Sequence, residues 1–70
     1  MQNREELSQW VSENLPTEKV IPTSEGVKCH VKELHGNHLR KFCHLEQNVK
    51  LLIKRSGVGI VIIFNILPRA

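Results

Sequence analysis

Apolar residues change their spacing several times along this chain, and each change marks an expected element. From Asn3 the spacing is helical: Leu7, Trp10, Val11, Asn14 and Leu15 share one side, with Glu5, Ser12 and Glu13 elsewhere on the wheel. Asn3 followed by Glu6 has the spacing of a capping box, which sets the helix start. Pro16 sets its end, because proline disfavours helical geometry in the residue before it and has no N–H to donate. Trp10, the only tryptophan, is expected to be a core anchor.

Lys19 to Thr23 reads as a short strand, and Pro22 places it at a sheet edge, where no ladder donor is needed. Ser24, Glu25 and Gly26 form the turn that follows. Val27, Cys29 and Val31 then alternate with Lys28, His30 and Lys32, the period-two pattern of a strand with one buried face. His35-Gly36-Asn37 reads as a loop in which Asn37 caps a second helix. On that helix Leu39, Phe42, Cys43 and Leu45 face inward, and Arg40, Lys41, His44 and Gln47 face outward.

Two readings are open for the region after Asn48. In one, the helix continues to Ser56 on Val49, Leu52 and Ile53, but this strands Leu51 on the polar side. In the preferred one, Asn48 adopts a left-handed cap, and Val49 to Lys54 is a strand with Val49, Leu51 and Ile53 on one face. Ser56-Gly57 then turns into a final strand, Val58 to Leu67. That last segment is β-branched and aromatic on both faces, which predicts a central strand.

The expected fold is therefore a small two-layer α+β domain, with two helices on one side of an antiparallel sheet in the order α-β-β-α-β-β. The alternative is α-β-β-α-β with the longer second helix. Ile60, Ile62, Phe64 and Ile66 can pack on the helices, but Val61 and Ile63 then need another cover, since no third helix is available. Burying each is worth about 1.5–3 kcal/mol, so a homodimer or partner protein seated on Val61, Ile63 and the last strand's edge is one expected use of this surface.

Composition narrows the classes. Seventy residues, 40% of them hydrophobic and 24% charged, make one domain spanning 1–70 with a single core. Two cysteines allow at most one disulfide, and the Met-Gln-Asn-Arg-Glu-Glu start carries no apolar leader, so a reducing, cytoplasmic setting is expected. The longest uncharged run, Ser56 to Pro68, falls short of the roughly 20 residues a membrane helix requires, and no membrane partner is expected.

Charge is divided unevenly. Met1 to Val27 holds two basic residues against five glutamates, and the stretch from Lys28 onward holds eight against two, so a net −3 is followed by a net +6. Lys28, Lys32, Arg40, Lys41, Lys50, Lys54 and Arg55 are the candidate contacts for RNA or DNA phosphates, a mode that needs neither sequence readout nor a rigid pocket. The plainer reading is a solvated face. No zinc finger, glycine-rich loop or aromatic strand motif accompanies the charge, and Trp10, Phe42 and Phe64 all sit where a core wants them.

Cys29, His30, His35, His38, Cys43 and His44 lie within sixteen residues, and thiolate with imidazole suits zinc. Adjacent residues in a strand or helix diverge, however, so both cysteines are assigned to the core. The zinc-binding alternative is a convergence of Cys29, Cys43, His35 and His38. No metal or other cofactor is assigned. Catalysis has less support still: there is no aspartate, and no Ser/His/Glu or Cys/His arrangement at recognisable spacing, so the chain is read as a binding protein and not an enzyme.

Overall fold

The computed structural model describes residues 3–45 and 48–68. Helix α1 runs Arg4–Asn14, and the strands are β1 Thr17–Pro22, β2 Gly26–Val31, β3 Val49–Ser56 and β4 Gly59–Ile66. Between β2 and β3 lie a short helix, α2 Gly36–Lys41, and a single 3₁₀ turn, Phe42–His44. The chain is a small two-layer α+β domain of order α-β-β-α-β-β. No helix among the described residues is long and apolar enough to cross a membrane.

Helix α1 starts as its sequence demands. The Glu6 amide donates to Asn3 Oδ1 at 2.9 Å, satisfying one of the orphan donors of the first turn. At the other end Leu15 takes an extended conformation, φ −122° and ψ 150°, as a residue preceding proline prefers. Leu7, Val11 and Leu15 are all buried from this helix.

The sheet is antiparallel throughout, in the order β1-β2-β4-β3. Strand β4 is central as expected, and because β2 and β3 pair with both its sides, the expected contact through the last strand's edge is corrected: β4 has no free edge, and the sheet edges are β3 and β1, which ends in Pro22. Strands β3 and β4 form a hairpin closed by Ser56 and Gly59, and Gly59 holds φ at +141°, a value that side chains resist. The helices cover one face only: Val27, Cys29 and Val31 from β2 and Ile60, Ile62 and Phe64 from β4 are buried there with the α1 residues. Phe42 ties the second helical segment to the same face, with ring centroids 6.3 Å from Trp10 and 6.0 Å from Phe64. Trp10 itself is partly buried and packs against this core.

The second helical segment departs from expectation in three ways. Its N-cap is His35, not Asn37: the His35 carbonyl accepts from the amides of His38 and Leu39, and its own amide donates to His38 Nδ1 at 3.0 Å. The α-helix ends at Lys41 with Phe42 as its C-cap, so the extension to Ser56 does not occur and Asn48 is not the residue that caps it. Finally, Phe42 and Leu45 pack on the core, while Cys43 is exposed and Leu39 is 46% exposed. The 3₁₀ turn explains this, because side chains three apart eclipse one another; with Phe42 and Leu45 inward, Cys43 is turned out. The expected outward position of Gln47 lies outside the described residues.

Candidate nucleic-acid interface

The face of the sheet away from the helices is built by strand alternation. In β2 the residues between the buried Val27, Cys29 and Val31 are Lys28 and His30, which therefore point to the open side. Cross-strand register extends this set into rows, because residues directly opposite one another share a face. Lys19, His30, Val61 and Lys54 form one row across β1, β2, β4 and β3. Ile21, Lys28, Ile63 and Leu52 form the next, and Gly26, Asn65 and Lys50 a third.

Four lysines thus rim an apolar centre of Val61, Ile63 and Leu52. Lys19, Lys50 and Lys54 are exposed and Lys28 is half-buried. Lys50 and Lys54 stand about 13 Å apart at about 3.3 Å per residue. The three rows contain no carboxylate. Glu18, in the irregular register between Thr17 and Lys19, sits at one corner, with its Oε2 4.0 Å from Lys32 Nζ. Val61 and Ile63 are half-buried by neighbouring side chains, with no helix over them.

Only part of the basic set expected from the sequence meets on this surface. Lys28, Lys50 and Lys54 are on it, and Lys32 is at its corner beside Glu18. Arg55 is not: it faces Ile60 in the register and so lies on the helix-facing side of the sheet. Arg40 and Lys41 belong to α2 in the helical layer, where Lys41 Nζ donates to the Asn14 carbonyl at 3.2 Å. The seven candidate contacts thus divide into an open-face group and a helix-side group. Lys19 was missed, since it sits in the acidic first part of the chain; the β1-β2 pairing carries it across to His30.

The cysteines and histidines do not gather into one cluster among the described residues. Cys29 is fully buried, and that burial pushes its thiol up to about 11, with the Ile62 backbone only partly offsetting the effect. Cys43 is exposed, and its thiol donates to the Arg40 carbonyl, so the expected core position for Cys43 is corrected. His35 and His38 lie with ring centroids 5.6 Å apart, and His35 Nε2 is 3.2 Å from Glu33 Oε2. Among the described residues no three His, Cys or Glu side chains gather as a metal site requires.

Compared with known proteins, the chain matches no family model, and no curated protein and no solved structure is significantly similar to it. What the surface can do therefore rests on its own geometry: it offers lysine point charges and the His30 imidazole around an apolar strip.

Proposed function

We propose that the open face of the sheet binds RNA or DNA through its phosphates, without sequence readout. The observation that carries this reading is the arrangement of Lys19, Lys28, Lys50 and Lys54 around Val61, Ile63 and Leu52 with no carboxylate in the rows. Ammonium groups on flexible stems neutralise phosphates as point charges, and the apolar strip between them accepts sugar and base faces without hydrogen-bond selectivity. With the His30 imidazole the one ring in these rows, the electrostatic contribution dominates, and binding is weak and salt-sensitive.

The rival use of the same face, a homodimer seated on Val61 and Ile63, meets an electrostatic obstacle. An isologous contact would press the four lysines of one copy against those of the other. A polyanion relieves that repulsion, and a second copy adds to it.

The test is retention of a labelled single-stranded 20-mer, as RNA and as DNA, at low salt. Lys28→Glu with Lys54→Glu abolishes retention while the fold is kept, and Arg40→Glu with Lys41→Glu on the helical layer leaves most of it. Failure of the unmodified protein to retain either oligonucleotide ends the reading, as does equal loss in the two double variants.

A further inference from the structure

The two edges of the sheet are finished differently. Strand β1 carries an irregular register between Thr17 and Lys19 and ends in Pro22, devices that keep another strand from pairing with it. Strand β3 carries neither: its register against β4 runs unbroken from Val49 to Ser56. The Leu67 amide donates to the Asn48 carbonyl, which fixes the phase of the ladder. In an antiparallel pair bonded positions alternate, so Lys50, Leu52, Lys54 and Ser56 bond to β4. The N–H and C=O groups of Val49, Leu51, Ile53 and Arg55 consequently point away from the sheet.

This edge is also selective in charge. Lys50, Lys54 and Arg55 are exposed, and neither β3 nor β4 contains a carboxylate. Two copies paired through β3 would crowd six cations onto two neighbouring strands. With the pair centred on Leu52, Lys50 would stand directly opposite Lys54 of the second copy, and like charges directly opposite are destabilising. Leu52 and Ile53, each 42% exposed, meanwhile leave apolar surface on both faces of the strand.

We infer that β3 is a docking edge for an extended acidic peptide of another protein, which adds to the sheet as a fifth strand beside it. Main-chain hydrogen bonds to Val49, Leu51, Ile53 and Arg55 hold the peptide, and its alternate side chains select it. Running antiparallel, its residues oppose Arg55, Lys54, Ile53, Leu52, Leu51 and Lys50 in turn. The complementary order is acidic, acidic, apolar, apolar or neutral, apolar, acidic. The edge is distinct from the face read above as binding nucleic acid, although Lys50 and Lys54 border both.

The probe is a labelled ten-residue peptide with the core Glu-Glu-Val-Thr-Val-Glu, followed by fluorescence anisotropy and by amide hydrogen exchange of the unmodified protein. The expected result is saturable binding, with slowed exchange at the amides of Val49, Leu51, Ile53 and Arg55 and no change at Lys28 or Val61. Ile53→Pro removes one outward N–H without touching the ladder to β4, and weakens peptide binding by at least about tenfold while oligonucleotide retention persists. Absence of peptide binding overturns the inference. So does binding that survives Ile53→Pro but is lost in Lys28→Glu, which would make the peptide a mere polyanion on the open face. Protection of the same four amides without peptide, with a doubled sedimentation mass, overturns it too, because the occupant is then a second copy.

Discussion

The backbone of Gly26 lies so close to β4 that a side chain there would collide with the Phe64 carbonyl oxygen and come within 3.2 Å of Asn65 Cα. Both obstacles are backbone atoms of the central strand and cannot swing aside. Gly26 also opens β2, accepting from the Thr23 amide while its own amide donates to Thr23 Oγ1 at 3.0 Å. Gly26→Ala is expected to destabilise the fold by about 3 kcal/mol or more, read as a lower denaturant midpoint. A loss under about 1 kcal/mol would mean that β2 and β4 have room to separate.

Phe42 is the residue through which the short helical segment reaches the core, lying between Trp10 and Phe64. Its edge-on approach to Phe64, at 81° between ring planes, adds an aromatic contact to the area it covers. Phe42→Ala should cost about 2–4 kcal/mol and red-shift Trp10 fluorescence, since Trp10 loses the ring that partly covers it. Cys43→Ala, one position along on an exposed side chain, should change stability by less than about 0.5 kcal/mol.

Local alternation carried most of the fold. Val27, Cys29 and Val31 announced a buried strand face, and the same parity sent Lys28 and His30 to the open side. The β-branched and aromatic run Ile60 to Phe64 marked β4 as central, because side chains of a flanking strand on each edge shield part of both its faces. What alternation does not contain is the order of strands across the sheet. That Lys19 reaches the row of His30, Val61 and Lys54 depends on a register set by non-local pairing, so counting charge along the chain assigned it to the acidic part. Arg55 is separated from Lys54 for the complementary reason: one step of parity puts it on the opposite face. Cys43 failed because a helical wheel of 100° per residue does not describe a segment that tightens into a 3₁₀ turn once Phe42 enters the core.

Cys29 couples stability to alkaline pH. Its thiol is raised from 9.0 to about 11 by burial, so over that interval the unfolded chain releases a proton that the folded chain keeps. The unfolded state then binds fewer protons, and stability falls as pH rises. The contribution is fully present below pH 9 and is lost as pH climbs through about 11. Unfolding midpoints for the unmodified protein and Cys29→Ala, taken from pH 8 to 11, should show a steeper decline in the former. Parallel curves would refute the coupling. A thiol reagent at pH 8 should accordingly modify Cys43 in the folded protein and reach Cys29 only after unfolding.

The salt dependence of oligonucleotide binding discriminates a lysine-rimmed face from a diffuse positive charge. Each phosphate neutralised on a single strand releases condensed counterions, and the slope of log Kobs against log salt is about −0.7 per contact. If three or four of Lys19, Lys28, Lys50 and Lys54 engage phosphates, the slope is about −2 to −3. Lys28→Ala should flatten it by about 0.7, because Lys28 lies inside the rows, between Ile21 and Ile63. Arg40→Ala should leave the slope where it was, since α2 belongs to the opposite layer. If the two variants flatten the slope equally, the strand lies along the whole basic surface and not on the sheet face, and the geometry of the rows then has no bearing on binding.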